Sequence, residues 1–233
     1  TYMNTKHKKP TLTKKQRHKL RVQQVRRQKI FLTCLFLLIV GCILLRFSKF
    51  SGRQEEAHQI NAACEAYRDE VSSEAAQYDM SDYVDLILAV MMQESSGQGT
   101  DPMQSSEGAY NTRYPQQPNG ITDPSYSISC GIQELKYALE KAVCTGPTDL
   151  SKIRLALQAY NFGADSYFAY LEENGQTVWT AQSAQAFAQM ASGGTQRDED
   201  DPLHDPAGPW DYGDQYYPCL LYTSDAADDL TRV

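Results

Sequence analysis

The sequence predicts a mainly α-helical domain behind a single N-terminal transmembrane helix, and three observations carry that prediction. The first is a division of charge hidden inside the net value of −7. Residues 1–29 hold eleven Lys or Arg and no acid, whereas from Gln54 onward eight basic residues face 29 acids, a balance of −21. The second is the run Ile30 to Leu45 between them, sixteen residues without a charge. The third is that beyond Gln54 apolar residues recur at helical spacing, and only Gln176-Thr177-Val178-Trp179 alternates as a strand would. A chain of 233 residues is long enough for one sizeable domain with appendages.

Taken in order, residues 1–29 form a basic arm and residues 30–47 the membrane helix. Sixteen residues rise about 24 Å, short of the roughly 30 Å hydrocarbon core. Phe47 lengthens the run, and Lys29, Arg46 and Lys49 snorkel. A cleaved signal peptide is the alternative, but Arg46-Phe47-Ser48-Lys49-Phe50 offers no small-x-small cleavage site. The expectation is a retained single-pass anchor in the cell membrane. Its basic arm stays in the cytoplasm against anionic lipid, and the acidic remainder lies outside. An ectodomain of this charge repels phosphates, which excludes nucleic acid as a partner.

Residues 48–59 read as a juxtamembrane linker and 60–218 as the folded domain. Within it, helices are expected from the Ala- and Glu-rich stretch 54–77, then from a cap at Ser81 or Asp82 through Glu94. Residues 98–129 are loop, and a loop of that length inside a compact domain is usually functional. Further helices are expected at Gly131–Val143, with Leu135, Leu139 and Val143 on one face, and at Lys152–Tyr160 after a Ser151 cap. Asn161-Phe162-Gly163 ends that helix, and two more follow at 164–175 and 181–191. Residues 193–218 read as loop; their cluster Asp198-Glu199-Asp200-Asp201 lacks the alternating ligand pattern of a calcium loop.

Cys34 and Cys42 fall in the anchor, leaving Cys64, Cys130, Cys144 and Cys219 outside, where three pairings are open. The expected one is Cys130 with Cys144, stapling a short helical segment at its ends. With no Cys-x-x-Cys and only His58 and His204 in the ectodomain, no zinc site and no other cofactor is implied. Residues 219–233 fit nothing before them. They resemble translated sequencing-adaptor read-through and are set aside as non-native, which also puts Cys219 in doubt; Thr1 leaves the start equally open, with Met3 available as the true start.

The chemistry centres on Leu86-Ile87-Leu88-Ala89-Val90-Met91-Met92-Gln93-Glu94, an apolar helix ending on one carboxylate before Ser95-Ser96-Gly97 breaks it. A glutamate half-sunk in apolar surface has its charged form disfavoured, so it holds a proton toward neutral pH. That is the property a general acid in glycoside hydrolysis requires. Two further motifs follow in order, Cys130-Gly131-Ile132-Gln133 and Ala159-Tyr160-Asn161-Phe162-Gly163.

With Glu94-Ser95, these motifs resemble the lysozyme-like superfamily of goose-type lysozymes and soluble lytic transglycosylases. The stretch Asp101-Pro102-Met103-Gln104-Ser105-Ser106-Glu107, with Asn119-Gly120-Ile121 and Asp123-Pro124-Ser125-Tyr126-Ser127-Ile128, resembles more narrowly the lysozyme module of CwlT-like membrane-anchored cell-wall hydrolases from Gram-positive conjugative elements. A Cys/His peptidase module follows the lysozyme there. The resemblance implies a lysozyme-like helical fold and an N-acetylmuramidase that cleaves the β-1,4 bond of peptidoglycan glycan strands, opening the wall locally for conjugation machinery. Glu94 is the implied acid, and Asp101 or Asp123, with Glu107 third, the second carboxylate. Ser95, Gln133, Tyr160 and Asn161 are the implied glycan-binding residues.

Three other readings stay open. A lytic transglycosylase forming 1,6-anhydro ends needs no second acid, and a non-catalytic peptidoglycan-binding scaffold needs no acid at all. A peptidase would need a nucleophile beside a base, for which Cys64 and His58 are the only close pair.

Overall fold

The computed structural model describes residues 60–201 and 204–222. The basic arm, the apolar span 30–47, the linker 48–59 and the tail beyond 222 lie outside them. Among the described residues no helix is long and apolar enough to cross a membrane. Their regular structure is eight α-helices and one 3-10 turn. In chain order these are α1 (Ala62–Glu65), α2 (Arg68–Gln77), the turn Ser81–Tyr83, α3 (Val84–Ser95), α4 (Pro124–Lys141), α5 (Leu150–Phe162), α6 (Ala164–Glu173), α7 (Ala181–Ala191) and α8 (Tyr217–Tyr222).

Helix α3 is apolar on every side from Leu86 to Met91, and all six residues are buried. A helix without a polar face is stable only when surrounded. It packs against α1, α2 and α8, while α5 packs against α4, α6 and α8. The end of α5 enters an aromatic cluster in which Phe162, Tyr167, Phe187 and Tyr212 lie with ring centroids 5.1 to 5.8 Å apart. Edge-on and tilted contacts at these separations suit the ring quadrupoles. Thr180 and Ser183 close a capping box at the start of α7.

Several boundaries differ from expectation for identifiable reasons. The stretch expected to be one helix to residue 77 is broken between α1 and α2. Ser81 and Asp82 form a 3-10 turn instead of a cap, and α3 starts without a side-chain cap. Helix α4 begins seven residues before Gly131 because Asp123 caps it through Ser125 N–H and Pro124 stands at its first turn, where a missing N–H costs nothing. Asp149, not Ser151, caps α5. Val143, expected on the buried face, lies past the helix end in the left-handed region and is 71% exposed. The alternating stretch at 176–179 forms no strand; Trp179 instead donates its indole N–H to Gln158 Oε1 at 2.9 Å. The boundary expected at 218/219 falls inside α8, whose Leu221 is buried in the core.

The expected Cys130–Cys144 bridge is absent: Cys64, Cys130, Cys144 and Cys219 are all free thiols. Cys130 sits within α4, so about 16 Å of helix separates it from Lys141. A disulfide requires Cα atoms within about 7 Å. Burial pushes the Cys64 thiol up to about 11, which removes it as a nucleophile at neutral pH.

The loop 96–123 reaches the core where α4 is thinnest. A Cβ on Gly131 would lie 2.6 Å from Met103 Cβ, so the loop rests directly on the helix backbone. Met103 has no room to retreat: its N–H donates to Ser127 Oγ at 3.1 Å and its carbonyl accepts the Tyr160 hydroxyl at 3.0 Å. Gly131→Ala is therefore expected to cost about 1–3 kcal/mol by overpacking, read from the midpoint of chemical denaturation.

Candidate active site

Glu94 occupies the last turn of α3, whose apolar length delivers it to the edge of the core. The residue is half-buried, and protein atoms crowd its carboxyl group. Burial pushes its pKa up to about 7, a hydrogen bond from Tyr217 opposes the rise, and the charge of Asp101 adds to it. Tyr217 donates its hydroxyl to Glu94 Oε1 at 2.5 Å across 123 residues of sequence. The acid thus stays protonated toward neutral pH, as its place in the sequence predicts.

Asp101 is 1% exposed and does not present a free oxygen. Its Oδ1 accepts Ser105 N–H at 3.0 Å and the Ser127 hydroxyl at 2.6 Å, while its Oδ2 accepts Ser106 N–H at 3.1 Å and the Ser106 hydroxyl. A carboxylate has about four lone-pair sites, so none is left for a water molecule. The expectation that Asp101 activates water is corrected on that ground. Asp123 caps α4 through Ser125 N–H at 3.2 Å and is not among the groups that shift Glu94. Glu107 is exposed.

The motif residues act as clasps. Ser95 Oγ donates to the Pro102 carbonyl at 2.8 Å and accepts Gly97 N–H at 3.1 Å, so it holds the loop entrance and has no hydroxyl proton to spare for substrate. Tyr160 is held by the Met103 carbonyl, with the charges of Glu94, Glu134 and Asp101 acting on it. Asn161 Oδ1 accepts Asp214 N–H at 2.7 Å, tying down the segment that carries Tyr217. Gln158 Nε2 reinforces this by donating to the Asp214 carbonyl at 2.7 Å, and Tyr212 donates to the Phe162 carbonyl at 3.0 Å. The Ser95 hydroxyl and the Asn161 amide oxygen are thus engaged in fastening the loop entrance and the segment that carries Tyr217.

Gln133 does reach open space. It lines a cleft of about 600 Å³ together with Asp123, Arg113 and the rings of Tyr78, Tyr110 and Tyr126. Arg113 lies over the Tyr126 ring, 4.6 Å from its centroid. Gln133 Nε2 donates to the Ser129 carbonyl at 3.1 Å, which leaves its amide oxygen open toward a ligand. Aromatic faces with a few amides and hydroxyls suit the flat apolar faces and N-acetyl groups of sugars. Glu94 is not a lining residue of this cleft; Glu134, next to Gln133 on α4, receives the Tyr110 N–H and is raised by the charge of Glu94.

Two residues escape the motifs. Tyr217 carries no local signal, since its contact with Glu94 exists only after α3 and α8 are brought together. Glu134 carries one: it is a carboxylate on the α4 face that also holds Cys130, Gly131 and Leu135, all buried.

Residues 62–220 match the family model described as Lysozyme-like. A stretch of 124 residues is 39% identical to the bifunctional muramidase/DL-endopeptidase CwlT of Bacillus subtilis, covering 53% of this chain and 32% of that protein. Another comparison gives 40% identity over 115 residues with the uncharacterized membrane protein YocA of Bacillus subtilis, 48% of this chain and 45% of that one. Pneumococcal vaccine antigen A of Streptococcus pneumoniae is 32% identical over 143 residues, 61% of this chain and 65% of its own. A solved Staphylococcus aureus structure, described as similar to a lipoprotein of the NLP/P60 family, superposes with a TM-score of 0.54 at 28% identity, covering 69% of this chain and 52% of that chain. The chain therefore spans about a third of the first relative's length and under half of the second's.

A raised carboxyl pKa is a stability statement. Between the unfolded value near 4.5 and the folded value near 7, the native state binds the proton more tightly, so stability falls as pH rises through this window. Glu94→Gln, which cannot ionise, is expected to be more stable than wild type at pH 8 by roughly 1–3 kcal/mol. The difference should vanish below about pH 4.5 in denaturation curves taken across the range.

Proposed function

The chain belongs to the lysozyme-like family, and from that premise we propose that it is an N-acetylmuramidase acting on peptidoglycan glycan strands. The observation that carries the proposal is the Glu94 carboxyl, held protonated to about pH 7 at the end of a buried helix. Cleavage of the β-1,4 bond between N-acetylmuramic acid and N-acetylglucosamine requires a proton for the leaving oxygen, and Glu94 supplies it. The Tyr217 hydroxyl stabilises the carboxylate left behind, so the same contact that restrains the pKa favours the state after proton transfer. Sugar rings lie against Tyr78, Tyr110 and Tyr126, and Gln133 takes an N-acetyl group.

A transglycosylase is the second reading, favoured by the saturation of Asp101. There the muramic acid 6-hydroxyl, not water, closes onto C1, and Glu94 serves first as acid and then as base. For the whole protein the proposal includes an anchor at residues 30–47, with residues 1–29 cytoplasmic and the catalytic domain outside. The membrane-protein description of one relative supports that anchor. A role in local wall opening during conjugation is supported by the sequence resemblance alone.

The test is mass spectrometry of soluble products after the full chain, in mild detergent, is incubated with purified peptidoglycan beside Glu94→Gln. Reducing N-acetylmuramic acid ends from wild type, lost at least a hundredfold in the variant, are expected. Products ending in 1,6-anhydro sugar give the second reading instead. No cleavage by wild type removes both.

A further inference from the structure

Glu134 is a carboxyl at the centre that neither the loop clasps nor the motif contacts use. It follows Gln133 on α4, and its carboxyl lies where residue 108 has no side chain. A Cβ on Gly108 would stand 1.5 Å from Glu134 Oε1 and 2.4 Å from its Cδ. The carboxyl receives the backbone N–H of Tyr110, a residue of the cleft wall. Its Oε1 is buried and no protein donor reaches it. A buried carboxyl oxygen without a partner costs stability, and such groups concentrate at sites of chemistry.

The groups that face it are Asp101 and Glu94, whose charges add to a burial-driven rise to about 8, and on its own account it bears on Tyr110, Cys130 and Tyr160. Among the described residues no Lys or Arg forms an ion pair with it. Glu94 and Glu134 thus make two carboxyls in one cation-free site, with values near 7 and 8. Between those values the pair holds one proton between them. Asp101, by contrast, has no oxygen to offer.

We propose that Glu134 is the second catalytic carboxyl, the base that takes a proton from the water attacking the sugar C1. The proposal rests on the muramidase reading above. Glu94 protonates the glycosidic oxygen as the C1–O bond breaks and its electron pair passes to that oxygen. The water oxygen bonds to C1 and its proton passes to the Glu134 carboxyl, through the oxygen that Gly108 does not cover. Glu94 leaves the step as carboxylate and Glu134 as carboxylic acid, and solvent returns one proton from Glu134 to Glu94. The reacting arrangement, Glu94 protonated and Glu134 ionised, is the minor one of the two that carry a single proton. Water enters from the face opposite the leaving sugar, so the new reducing end is the α anomer.

The experiment compares the full chain in mild detergent with Glu134→Gln, Gly108→Ala and Glu94→Gln. Readouts are kcat/KM on soluble glycan strands, co-sedimentation with insoluble peptidoglycan, thermal unfolding, and the anomer of fresh reducing ends by NMR. Glu134→Gln is expected to lower kcat/KM by about 10²–10⁴-fold with sedimentation unchanged. Gly108→Ala keeps the carboxyl but occupies its ground, and what must give way is a flexible side-chain end; a loss of tenfold or more without loss of fold is expected. Glu134→Ala with added azide should regain turnover and release α-glycosyl azide, a result that a purely structural role does not produce. Glu134→Gln within threefold of wild type, a β anomer, or 1,6-anhydro products each overturn the assignment while leaving Glu94 as the acid. Wild type without any cleavage withdraws the muramidase reading and this assignment together.

Discussion

The site depends on a buried carboxylate whose oxygens are fully engaged by the protein. Burying an ionised carboxylate costs several kcal/mol unless donors replace its water, and Asp101 finds four. Three of those donors belong to Ser105 and Ser106 on the loop and the fourth to Ser127 on α4, so satisfying one charge fixes the loop against the helix. Ser106 Oγ passes the constraint on by accepting Ile121 N–H at 2.8 Å, which gathers the far end of the same loop. Residues 96–123 carry no helix or strand, yet Met103, Ser105, Ser106, Asn111 and Ile121 are buried within them. Hydrogen bonds to charge, worth roughly twice a neutral one, do here what a ladder would do in a sheet.

That arrangement explains the electrostatic character of the centre. Asp101 is held by neutral donors, no Lys or Arg among the described residues forms an ion pair with Glu94 or Glu134, and these two carboxyls accommodate by holding protons. Burial is the larger cause for both, and the charges of neighbouring acids add to it. A salt bridge to either would lower its pKa and remove the acid form. The centre therefore trades stability at alkaline pH for protons held near neutrality, the exchange expected where function requires strain.

Much of this was legible in the residues. The apolar run before Glu94 announced both a buried helix and an acid held protonated, and residues 181–191 were bounded correctly by composition alone. Gly131 stands in the second motif, but the close approach of the loop to the helix there needs three dimensions to be seen. Asp101 and Asn161 stand out in the residues, but spacing does not show that the Asp101 oxygens and the Asn161 amide oxygen grip neighbouring segments. A Cys130–Cys144 staple fails because helix stands between the two residues and carries them far beyond disulfide reach. Tyr217 was invisible, since nothing near it in sequence mentions Glu94. Glu134 was visible in hindsight as a charge on an apolar helical face, and the helical pattern is where such misfits should be sought.

The contact between Tyr217 and Glu94 has a consequence in time. A chain made at about 5–20 residues per second needs roughly 6–25 s to travel the 123 positions between them. Throughout that interval α3 can exist, but the segment clasped by Asn161 and Gln158 has not arrived, and Glu94 stands against an unfinished wall. A ribosome-bound fragment therefore carries the acid without its setting. Synthesis itself leaves this centre open until α8 docks.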